Sequence, residues 1–118
     1  MESILTSTKK LLGIVEEYTH FDADLIMHIN SVFSTLSQLG VGPIEGFRIS
    51  DSFATWDAFT SDHITLSLVK TYVVLKVRLL FDPPTNSSVL SSIERQISEL
   101  EWRLNLEGDR NKAEKGYE

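Results

Sequence analysis

Cysteine is absent from the 118 residues. Its absence excludes a disulfide framework, a thiolate zinc or iron–sulfur site and thiol catalysis. Positive charge is scarce too: 11 Lys and Arg stand against 17 Asp and Glu, a net charge of −6. Residues 1–60 carry only Lys9, Lys10 and Arg48 against eight carboxylates, and the remaining basic residues are interleaved with acids in the second half. Nucleic-acid binding relies on Lys and Arg to neutralise phosphates, so this balance argues against it. Long hydrophobic runs are missing as well. The most apolar window, Ile64 to Phe81, is interrupted by Lys70, Lys76 and Arg78, whereas a membrane-spanning helix needs about 20 predominantly apolar residues. The opening Met1-Glu2-Ser3-Ile4 has no basic region followed by an apolar run, the mark of a secretory signal.

What is present reads as one helical domain. A chain of 118 residues has room for a single core. Helical apolar spacing recurs between Gly and Pro punctuation. A short first helix is expected from Ile4 to about Leu12, with Gly13 as its stop and Thr6 or Ser7 as alternative caps. After a connecting stretch, Ile14 to Phe21, Asp22 is placed to cap a helix to Leu39, with Asp24 adding charge at the positive dipole end. Leu25, Ile29, Val32, Phe33, Leu36 and Leu39 form its apolar stripe, and Gly40 follows where a left-handed residue belongs.

Val41 to Phe59 reads as a long irregular loop, with one helical turn available at Ala54–Phe59. Loops of that length in small domains tend to be functional. A further helix runs from a cap at Ser61 or Asp62 to Phe81, where Asp82-Pro83-Pro84 ends it. It carries two apolar arcs: Ile64, Leu68, Tyr72, Leu75 and Leu79 on one side, and Leu66, Val69, Val73, Val77 and Leu80 on the other. Such a helix wants neighbours on two sides, from its own chain or from another subunit. The last helix starts at Asn86 or Ser87 and is expected to end near Leu106, before Gly108. The expected organisation is an all-α bundle of about four helices over 1–106, followed by a polar, disordered tail at 107–118.

Reactive constellations are hard to find. His20, Asp22, Asp24 and His28 are the best metal-like cluster, since Asp24 and His28 share a helix face, yet capping already accounts for both aspartates. His63 beside Asp62 sits in a first helical turn and reads the same way. Adjacent Glu16 and Glu17 would point about 100° apart on a helix, so they could not flank one bond. No Gly-x-Ser-x-Gly elbow, dinucleotide fingerprint or phosphate-binding loop occurs. Helix starts rich in aspartate are unsuited to reading DNA. No enzymatic activity, cofactor or metal is therefore expected. Partner contacts are the remaining use for side chains such as Trp56, Phe59 and Trp102, for which core packing is the alternative, and for Arg78, on a polar strip of its helix.

Five ordered segments point to a family: LIMHINS at Leu25–Ser31, LGVGP at Leu39–Pro43, WDAF at Trp56–Phe59, VKTYVVLKVRLLFDPP at Val69–Pro84 and QISELEWRLN at Gln96–Asn105. Together, over about Tyr18 to Asn105, they resemble the small head–tail connector, or adaptor, proteins of tailed bacteriophages and prophages. The resemblance implies a helical subunit of a homo-oligomeric ring below the portal protein, extending the DNA channel and docking the next neck or tail-completion protein. It implies a place at the head–tail interface of the virion, with assembly in the host cytoplasm, no membrane, and DNA only as passing cargo. It carries no catalytic motif. The alternative is a non-enzymatic regulatory or protein-binding module of prophage origin.

Overall fold

The computed structural model describes residues 2–114, with side chains to Asn111. Among these residues five helices occur: α1 (Ile4–Leu11), α2 (Asp22–Gln38), α3 (Trp56–Phe59), α4 (His63–Phe81) and α5 (Ser87–Glu114). Among the described residues no strand forms, and extended pairing is limited to one antiparallel bridge between Ser3 and Thr55. The fold is the expected small all-α bundle.

Local chemistry sets the helix ends. Ser3 caps α1, accepting from the Thr6 amide at 3.2 Å, in place of the expected Thr6 or Ser7. Asp62 accepts from the Ile64 amide at the start of α4, and Asn86 accepts from the Ser88 and Val89 amides at the start of α5. At the end of α2, Gly40 adopts φ +83°, its amide reaches the Ser37 carbonyl and that of Val41 reaches Leu36. This left-handed turn satisfies orphan carbonyls and drops Val41 into the core.

Helix α4 is the centre of the bundle, packed against α2 and α5. Its buried residues Val69, Tyr72, Val73 and Val77 sit against neighbours from the same chain. Both apolar arcs are thus largely covered without a second subunit, although Ile64 and Leu80, at the helix ends, stay exposed. Side-chain bonds fix which flank is which. Lys70 pairs with Glu2 at 2.8 Å, while Tyr72 donates to Glu101 of α5 at 2.7 Å. Residues two apart point about 200° apart on a helix, so the N-terminal segment and α5 lie on opposite flanks of α4.

The long loop is pinned rather than loose. Asn30 on α2 clasps Ile49 twice: its Oδ1 accepts from the Ile49 amide at 2.8 Å and its Nδ2 donates to the Ile49 carbonyl at 2.9 Å. Further on, the Ile4 amide donates to the Ala54 carbonyl and the Trp56 amide to the Glu2 carbonyl.

Two expectations are corrected. Helix α5 does not end before Gly108 but runs through it to Glu114, so residues 107–114 continue the helix; residues 115–118 lie outside the described set. The reason is positional. Ile93, Ile97, Leu100, Leu104 and Gly108 follow one inner stripe, and the glycine is buried where α5 crosses the end of α2. Asp22 is likewise not a cap: Phe21 holds that position, and the Asp22 carboxylate turns to Lys9.

Candidate functional site

Two of the four residues expected at an interface belong to the interior. Trp56 and Phe59 are buried because the single turn of α3 folds the loop back over Phe33. Phe33 has the rings of Phe47 and Phe59 each 5.0 Å from its own, with Trp56 at 6.3 Å. The Trp56 indole donates to Ser7 Oγ at 2.7 Å, and Ser7 passes its own hydroxyl hydrogen to the Ser3 carbonyl at 2.6 Å. These residues fasten the loop to α1 and α2, and they present no surface to a partner.

The other two are outside. Arg78 is exposed on the outer strip of α4 with Ser67 and Thr71. Trp102 is 64% exposed, and Leu106, one turn on, is 50% exposed. Arg95, Glu99, Trp102 and Leu106 recur at steps of four, three and four, a row on the face of α5 directed away from Ile97 and Leu104. Glu99 and Arg103 pair at 3.0 Å beside the tryptophan. An exposed Trp–Leu pair bordered by charge has the composition of a protein-contact patch.

A second apolar feature went unnoticed in the sequence. Phe53 is 84% exposed, the highest among the described large hydrophobic side chains. Asp51 Oδ1 accepts from the Phe53 amide at 2.9 Å, a local turn that holds the residue at the loop tip. Ile49 before it and Ala54 after it are pinned as described above, so the ring stands on an anchored tip. The signal lay in the Asp-Ser-Phe run, since Asp and Ser favour such turns.

Charged groups serve the fold. Lys9 is 2% exposed; its ammonium lies 2.8 Å from Asp22 Oδ1 and donates to the Glu16 carbonyl at 2.9 Å. It ties α1, the connecting stretch and α2 together. Burial, and then the Glu101 carboxylate to which it donates, hold the Tyr72 phenol well above the ordinary tyrosine range. The hydrogen bond from Thr65, chiefly, keeps the Asp62 carboxyl below the usual carboxylate value.

The histidine–aspartate cluster singled out in the sequence is engaged in packing and pairing. Asp22 is engaged by Lys9, and the His20 ring packs 4.9 Å from Phe21 and 6.0 Å from Tyr18. Among the described residues, no three His, Asp or Glu side chains come together. Surface depressions of ≈ 370 and ≈ 410 Å³ share Asn30, Ser34 and Arg48 beside α2; both are open to solvent. Among the described residues no helix is long and apolar enough to cross a membrane.

Fold and surface together define a small all-α module with a closed core and exposed aromatic residues. The chain belongs to the phage connector protein family, whose family model matches residues 4–111. No curated protein and no solved structure matches it. Membership makes it a structural component of the phage virion, interacting with other head and tail proteins.

Proposed function

We propose that the chain is a head–tail connector subunit that forms a homo-oligomeric ring beneath the portal protein, extends the DNA channel and docks the next neck or tail-completion protein. The observation that carries this reading is the Trp102–Leu106 face of α5, exposed although the other described aromatic side chains, Phe53 and Tyr18 excepted, are buried or half-buried. Aromatic anchors of this kind supply much of the affinity at protein interfaces. The net charge of −6 suits a wall past which DNA must slide, because like charge repels phosphate. Arg78 and Trp102 are the residues assigned to contacts with neighbours, and no catalytic step is assigned to any residue.

The test combines light scattering with co-sedimentation on purified portal rings. Several copies should load per portal ring. Chains that stay monomeric and ignore the portal under assembly conditions would contradict the reading.

A further inference from the structure

We infer that the N-terminal segment, residues 2–12, is a latch for the loop tip at residues 50–55. Docked, it holds in place the tip that presents Phe53; released, it frees the tip while α2, α4 and α5 stay packed. The device belongs to the single chain and does not depend on ring formation.

Three observations carry it. First, the tip has little anchorage of its own. Residues 50–53 are exposed, and Ala54 and Thr55 are half-buried. Among the described residues, the hydrogen bond that ties this stretch to a distant part of the chain runs from the Ile4 amide to the Ala54 carbonyl at 3.0 Å, beside the Ser3–Thr55 bridge. The bond from the Phe53 amide to Asp51 shapes the turn but fastens it to nothing else. The seam continues through Trp56, whose amide donates to the Glu2 carbonyl at 3.2 Å and whose indole donates to Ser7 Oγ at 2.7 Å.

Second, both ends of the tip are held without that segment. Asn30 of α2 clasps the Ile49 backbone on one side. On the other, the Phe59 ring packs against Phe33 and is seated on Gly42, where a Cβ would collide with it. Release of the N-terminal segment therefore leaves two fixed hinges with residues 50–55 between them.

Third, the latch is lightly built. Helix α1 has 8 residues, short of the roughly 12–15 that an isolated helix needs in water. It meets α2 and α4 only sparsely, whereas the α2–α4 and α4–α5 contacts make the bundle. Its fastenings are two buried apolar pegs, Ile4 and Leu5, with polar contacts from Glu2 to Lys70, Ser7 to Trp56 and Lys9 to Asp22. Elements with few buried apolar contacts open locally, ahead of global unfolding.

Nitrogen-15 relaxation and amide exchange on the full chain test the latch. Ile4→Asp places an unpaired carboxylate at a fully buried position and should expel the segment. Backbone order parameters at residues 50–55 should then fall below about 0.6, with Ile49, Phe59 and α4 remaining near about 0.85. A rigid tip beside a released α1 would overturn the inference. Loss of the whole fold would overturn it too, because α1 would then be part of the core. In the unaltered chain, the Ile4 and Trp56 amides, donors on opposite sides of the seam, should show equal protection, below that of Val73 in α4. Ser7→Ala removes the acceptor of the Trp56 indole and should speed exchange at both amides by the same factor, about tenfold. Protection at Ile4 equal to that at Val73, or a change at one seam amide without the other, would contradict the latch.

Discussion

Gly108 on α5 lies directly against the Leu39 carbonyl that closes α2. A Cβ at position 108 would overlap the carbonyl oxygen and come within 2.8 Å of the Leu39 carbonyl carbon and 3.3 Å of Gly40 Cα. These are backbone atoms, which cannot swing aside like the end of a side chain. Gly108→Ala should therefore destabilise the chain by about 1–3 kcal/mol. That holds although alanine favours an isolated helix by about 1 kcal/mol over glycine. Urea unfolding decides it, and a more stable variant would mean that the two helices do not meet there.

The buried Lys9–Asp22 pair gives a second expectation. Removing one partner of a buried pair costs about 3–5 kcal/mol, because a charge is left without compensation. Asp22 is partly exposed, so Asp22→Ala should fall near the lower end, with Lys9 left to the Glu16 carbonyl. The double variant Lys9→Met/Asp22→Ala should recover part of that loss. A double-mutant cycle showing strictly additive losses would contradict the pairing.

Tyr72 predicts an alkaline effect with a definite sign. Its pKa is raised in the folded chain, so the unfolded chain loses the proton first as pH rises. The contribution is complete below about pH 10 and is lost progressively above it. Tyr72→Phe should lower stability near neutrality by about 1–2 kcal/mol through loss of the bond to Glu101. It should also flatten the decline above about pH 10; identical pH slopes for the two proteins would refute the linkage.

Helix α2 separates inside from outside within two residues. Ile29 is fully buried and Met27 is exposed. Ile29→Asp should unfold the domain, since an unpaired buried carboxylate costs several kcal/mol. Met27→Asp should change stability by no more than about 0.5 kcal/mol. Arg78→Glu, on exposed α4 surface, belongs with Met27 for stability, yet should reduce oligomer formation if neighbours use that strip. Equal losses of melting temperature and assembly would exclude that role.

Much of this was legible in the sequence, for physical reasons. The stripe Leu25, Ile29, Val32, Phe33 and Leu36 dictates the inner face of α2, and Asp82-Pro83-Pro84 ends α4. Gly108 reads as a stop because glycine breaks helices when it stands alone; in the structure it continues the Ile93–Ile97–Leu104 stripe, and its lack of a side chain permits a close crossing. Lys9 gave no warning, since local sequence does not reveal which lysine folds inward to meet a carboxylate thirteen positions on. For Trp56 and Phe59 the sequence leaves core packing and partner contact both open, because the surrounding loop is polar. Their burial depends on Phe33 and Phe47, contacts made only when the loop folds back. The exposure of Trp102, by contrast, follows from its displacement off the α5 stripe.

The central claim is that this chain is built into the neck of the virion, and its position there is directly observable. Purified particles carrying an epitope-tagged copy, decorated with gold-labelled antibody and imaged by electron microscopy, should bear label at the single vertex where head meets tail. Label spread along the tail or over the head, or particles that complete assembly without the chain, would contradict the account.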